Sequence, residues 1–97
     1  MTIAAILQMT VQPGRREDAL AVLLPGLADT RAFAGNLAAE VLLDEDPDRF
    51  LIFERWESAA HNDTYQAWRQ TPEGALVGFG ELLAGSPTMQ VYEIAGS

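Results

Sequence analysis

His61 is the only histidine in this 97-residue chain, and so the only side chain whose unperturbed pKa lies near neutrality. Facing a cavity it would serve as a general base; otherwise it is a solvated residue in the first turns of a helix. Tyr65 and Trp68, three apart, share one helix face and carry polar tips on apolar bodies. They suit contact with a small-molecule substrate, and they equally suit core packing. Arg69 can stabilise an oxyanion, cap its helix C-terminus or pair with a carboxylate. Asn62 and Gln8 can orient a substrate hydroxyl or be satisfied polar residues within the fold. Trp56 offers an indole N–H as a pocket wall, or packs between strand and helix. Glu54 alternates with Trp56 on one strand face, where a carboxylate needs a partner. Arg55 points the other way, so Arg31 or Arg69 is expected to form an ion pair with it, the alternative being a base of shifted pKa. No pair of metal ligands stands at usable helical spacing, so no metal site is expected.

These residues must be positioned by a strand over 49–58, which opens Arg49-Phe50-Leu51-Ile52-Phe53 and closes Glu54-Arg55-Trp56-Glu57-Ser58. Phe50 and Ile52 point one way, Leu51 and Phe53 the other, and neither face can be left wet. So short a chain has helices for one face only. A second copy of the same sheet is expected over the other face, making a homodimer, with a small-molecule cavity between the sheets.

Residues 2–12 alternate as a first strand, with Ile3, Ala5, Leu7, Met9 and Val11 assigned to the helices and the even positions to the inter-sheet space. Residues 15–24 form an amphipathic helix that Pro25-Gly26 must kink or interrupt, and 27–33 continue as a shorter helical piece. A second strand over 37–44 pairs with 49–58 through an acidic hairpin loop. Ser58 caps a helix running to about residue 70. A further helix is expected over 71–84, where Leu76, Phe79, Leu82 and Leu83 make an apolar stripe, although Gly74, Gly78 and Gly80 weaken it. Residues 88–94 form the last strand. The order βαββαβ predicts an α+β, ferredoxin-like domain spanning 1–97, a four-stranded antiparallel sheet with helices on one face.

A net charge of −8 argues against nucleic acid and anionic membranes as partners. The absence of cysteine removes disulfides, thiolate nucleophiles and iron–sulfur clusters. No apolar run approaches a membrane span, and the N-terminus lacks the basic region of a signal peptide, so a cytoplasmic domain is expected.

Several segments then coincide. Pro13-Gly14-Arg15 follows the first strand, Thr30-Arg31-Ala32-Phe33-Ala34-Gly35-Asn36 precedes the second, and Asp46-Pro47-Asp48-Arg49-Phe50 leads into Phe53-Glu54-Arg55-Trp56-Glu57-Ser58, with Tyr65-Gln66-Ala67-Trp68-Arg69 on the helix beyond. In this the chain resembles the antibiotic biosynthesis monooxygenase family of dimeric α+β barrel proteins. The resemblance implies a homodimeric oxygenase, with an inter-sheet or sheet–helix cavity in each subunit, that needs no metal or flavin and acts with dioxygen on a small phenolic, quinol or polyketide-type aromatic. With that activity in view, the residues themselves suggest a catalytic set of His61, Tyr65 and Arg69 and a substrate-binding set of Gln8, Trp56, Asn62, Trp68 and Phe79. Heme-degrading relatives place an Asn, a Trp and a ligating His where this chain has Gln8, Tyr65 and Ala75, which argues against heme degradation. The alternative implied is a non-catalytic or isomerase-type barrel that binds a small hydrophobic ligand.

Overall fold

The strand over Arg49–Trp56 (β3) is central, because it pairs antiparallel with both Asn36–Leu43 (β2) and Ile3–Thr10 (β1). Thr88–Glu93 (β4) adds to the other edge of β1, giving one antiparallel sheet in the order β2-β3-β1-β4. The structure is a computed structural model and describes residues 1–96. Two helices, Arg16–Ala32 (α1) and Ala59–Arg69 (α2), complete the α+β ferredoxin-like fold expected from the sequence.

Register places Ile3 opposite Trp56, Ala5 opposite Glu54, Leu7 opposite Ile52 and Met9 opposite Phe50. Because side chains alternate, all of these lie on the helix-covered face, and Phe50, Ile52 and Trp56 are buried there. The opposite face carries Ile6, Leu42, Leu51, Phe53 and Tyr92, with Leu42 and Tyr92 exposed and the others half-buried.

Two expectations about the helices are corrected. Pro25 does not break α1, which runs unbroken through it. Proline removes one N–H from the ladder, and the acceptor left over belongs to Ala21, an exposed residue that water can satisfy. Buried Leu23, Leu27 and Thr30 keep both halves against the sheet. Residues 71–84 are not a helix but a loop ending in a short 3₁₀ turn at Gly80–Leu82. Gly78 has φ +82°, a left-handed conformation incompatible with helix, and a Cβ at Gly74 would lie 2.2 Å from the Trp68 carbonyl oxygen. The loop is tied to the end of β1 by Gln12 N–H donating to Leu82 O (2.9 Å) and Ala84 N–H to Thr10 O (2.8 Å).

The turn from α1 into β2 depends on Gly35, whose φ is +85°, and a Cβ there would come within 2.3 Å of the His61 ring. Gly35→Ala therefore combines left-handed strain of about 1–2 kcal/mol with displacement of His61 from its Ser58 contact. A Tm lowered by roughly 10 °C is expected in thermal unfolding; an unchanged Tm would show that this turn relaxes freely.

Candidate active site

Between the covered face of the sheet, the two helices and the loop after α2 lies a cavity of about 560 Å³. Leu7, Met9, Ile52 and Met89 form its floor, Leu23 and Leu27 a wall from α1, and Leu76, Phe79 and Leu83 the loop side. The loop approaches α1 closely because residue 26 is glycine: a Cβ there would lie 2.7 Å from a Leu76 methyl carbon. The chamber thus lies on the helix side of the sheet, which is the sheet–helix cavity the resemblance implies as one of its two placements.

Its polar groups come from Glu54 on β3, Thr30 on α1, Tyr65, Gln66 and Arg69 on α2, and Gln70 at the C-cap of α2. Tyr65 and Arg69 stand four residues apart, which puts them on adjacent turns of one helix face. Arg69 Nε donates to Tyr65 Oη at 2.7 Å, its Nη2 to Gly26 O at 2.8 Å and Thr30 Oγ1 at 3.1 Å, and its Nη1 to Gly74 O at 3.1 Å. Tyr65 Oη and Thr30 Oγ1 are themselves 2.7 Å apart. Burial raises the Tyr65 pKa above that of a free phenol, partly offset by its bonds to Thr30 and Arg69, so the hydroxyl keeps its proton near neutrality.

Glu54 is only 3% exposed. One carboxyl oxygen, Oε1, accepts from the Trp56 indole (3.2 Å) and from Gln66 Nε2 (3.3 Å), while Gln66 Nε2 also donates to Asn62 Oδ1 at 3.2 Å. Among the described residues no cation comes within ion-pairing distance of this carboxyl group, so the expected Glu54 ion pair with Arg31 or Arg69 is not formed. Loss of hydration raises its pKa from 4.5 to about 7, against the lowering effects of the Trp56 bond and the Arg69 charge. It is the shifted carboxyl group that was the alternative reading.

Of the candidate residues, Tyr65, Arg69 and Phe79 line the chamber. Trp56 and Asn62 are buried behind it, where they hold Glu54 and Gln66. Trp68 lies half-buried, its ring 5.4 Å from that of Phe33 and 4.9 Å from the Arg69 guanidinium. Gln8 is exposed on the opposite sheet face, because it stands on the even side of β1. His61 borders a separate shallow cleft with Phe33, Ala34, Ala60 and Thr64, and its Nδ1 lies 2.7 Å from Ser58 Oγ. The N-cap that starts α2 thereby points His61 away from the chamber. Thr30 and Gln66 were not among the candidates. The four-residue spacing of Asn62 and Gln66 was a usable signal, whereas Thr30 meets Tyr65 only through tertiary packing.

No three His, Asp or Glu side chains gather where they could hold a metal ion, and no helix is long and apolar enough to cross a membrane, among the described residues.

A search of curated proteins found no match. Among solved structures, the Rv0793 protein of Mycobacterium tuberculosis is 23% identical over 100% of this chain and 98% of that one, with a TM-score of 0.82. An antibiotic biosynthesis monooxygenase is 21% identical over 97% of this chain and 99% of its own, with a TM-score of 0.80. A conserved protein of unknown function from Bacteroides thetaiotaomicron is 23% identical, covering 96% and 97%, with a TM-score of 0.75. At such identities these structures bear on the fold alone. The family model for antibiotic biosynthesis monooxygenase matches residues 2–74, which takes in strands β1 to β3, both helices, Glu54, Tyr65 and Arg69, and the chain belongs to that family.

Proposed function

We propose that the chamber binds a small phenolic, quinol or polyketide-type aromatic and promotes its oxidation by dioxygen without a metal or flavin. The observation that carries this reading is Glu54: a buried carboxyl group poised to titrate near neutrality at the edge of an apolar cavity. It takes the role of base that the sequence suggested for His61. For an anthrone-type ring, Glu54 removes a proton from the activated CH₂ beside the aromatic system. The resulting anion is electron-rich enough to reduce dioxygen itself, and carbon–oxygen bond formation yields a hydroperoxide. Loss of water, the second C–H proton leaving with hydroxide, gives the ketone; overall, CH₂ and O₂ become C=O and H₂O. The protein's contribution is to bind, deprotonate and exclude water, and to place the Tyr65 hydroxyl where negative charge develops.

An oxygen electrode tests this with anthrones, quinols and simpler phenols. One O₂ consumed per ketone formed is expected for at least one of them. If ligands quench the fluorescence of Trp56 and Trp68 but none consumes oxygen, the chain is a binding protein.

The reading includes a homodimer formed through the uncovered sheet face. Support comes from the apolar row Ile6, Leu42, Leu51 and Phe53 on that face. Sedimentation should give about twice the 10.5 kDa of one chain. Phe53→Asp is expected to yield a monomer; a wild-type monomer at micromolar concentration would refute the dimer.

A further inference from the structure

We infer that the chamber has a second, oxygen-independent activity: it shifts the double bond of a β,γ-unsaturated cyclic ketone into conjugation, with Glu54 carrying the proton and the Tyr65 hydroxyl holding the enolate oxygen. The inference rests on the reading of Glu54 as a base but requires no oxidisable substrate.

The carboxyl group is held at one oxygen only. Trp56 Nε1 and Gln66 Nε2 both bond Oε1, which fixes the group's plane and leaves its other oxygen for a ligand in the cavity. A base fixed in this way can take a proton from one carbon of a flat ring and return it to another on the same face.

The donor is defined by hydrogen counting around Tyr65. Arg69 Nε can only donate, so the phenolic oxygen accepts that bond. Thr30 can donate to the same oxygen at 2.7 Å, because its other acceptor, Gly26 O, is 3.4 Å away and already accepts from Arg69 Nη2 at 2.8 Å. With Thr30 turned toward the phenol, Tyr65 accepts two bonds and its own proton is free for a ligand. A hydroxyl polarised by two donors is itself a stronger donor. Arg69 has every nitrogen engaged by the protein and is therefore a positioning residue.

The reaction balances without a co-reactant. Glu54 takes the α proton, and the electron pair passes into a dienolate whose charge rests on the oxygen bonded by Tyr65. The γ carbon then takes the proton back from Glu54, so one C–H bond breaks, one forms, and the C=C moves. The apolar surroundings supplied by Leu27, Ile52, Phe79 and Met89 suit an uncharged ring ketone.

The test uses cyclohex-3-enone and its two-ring and three-ring fused analogues in oxygen-free buffer. Conjugation is followed by ultraviolet absorbance and, in deuterated water, by NMR. At least one probe is expected to isomerise about 100-fold faster than in buffer. Glu54→Gln should remove that acceleration, and Tyr65→Phe should reduce it by about 10-fold or more, with circular dichroism unchanged. Glu54→Asp, which withdraws the carboxyl group by one methylene, should keep a reduced rate and serves if the glutamine variant does not fold. No acceleration with any probe, or equal rates in wild type and Glu54→Gln, overturns the proposal. Isomerisation without oxygen uptake from any phenol retains it and removes the oxygenase reading; uptake without isomerisation does the reverse.

Discussion

Glu54→Gln is expected to lose oxidation activity by about 100-fold or more and, above neutral pH, to fold more stably than the wild type. Both effects have one cause. In the folded chain the Glu54 carboxyl group titrates at about 7 instead of 4.5, because ionising it strips a charge of its hydration. The folded state therefore holds a proton that the unfolded chain has released wherever pH lies between these values. Stability from this group is fully present below 4.5 and is lost as pH rises through about 7. The gap corresponds to roughly 3 kcal/mol, on the order of 10 °C in Tm for a chain of this size. Glutamine keeps the shape and can still accept from Trp56 and Gln66 through its carbonyl oxygen, but it never ionises. Melting curves at pH 5 and pH 8 should show a wild-type decline that the variant lacks. The wild-type rate should climb through pH 7 as the carboxylate forms. Parallel pH–Tm curves for the two proteins would mean that Glu54 is not the titrating group.

The strands were legible because burial on two different surfaces leaves an alternating record. Phe50 and Ile52 against Leu51 and Phe53 define both sides of β3 with no tertiary information. Glu54 was visible as an anomaly, a carboxyl group within an apolar strand, and Trp56 as its neighbour two residues on along the same face, but Gln66 was not. Gln66 reaches it only because α2 folds back across β3 in this orientation. His61 misled for the opposite reason: a side chain's intrinsic pKa carries no information about where it points, and the Ser58 cap turns it outward. The stripe Leu76, Phe79, Leu82 and Leu83 reads as a helix face, yet an irregular loop closing a chamber needs the same apolar residues. There the glycines at 74 and 78 were the stronger signal, since one lies against Trp68 and the other adopts positive φ.

Arg69→Met is expected to destabilise the fold by about 2–4 kcal/mol, and Arg69→Lys by nearly as much. The guanidinium fastens three segments at once: α1 through Gly26 and Thr30, α2 through Tyr65, and the loop through Gly74. It also lies over the rings of Tyr65 and Trp68, at 5.2 and 4.9 Å from their centroids. Methionine preserves the apolar stem but supplies no donors. Lysine keeps the charge, yet a single ammonium group cannot span acceptors set around a planar fork. A second readout separates the fastening from the charge. The Arg69 charge lowers the Glu54 pKa, so removing it should move the midpoint of the pH–rate curve upward in Arg69→Met and much less in Arg69→Lys. A midpoint that falls in both variants would mean that the loop has opened and water has reached Glu54. Arg69 would then act on the carboxyl group by keeping the chamber closed, and its charge would count for little.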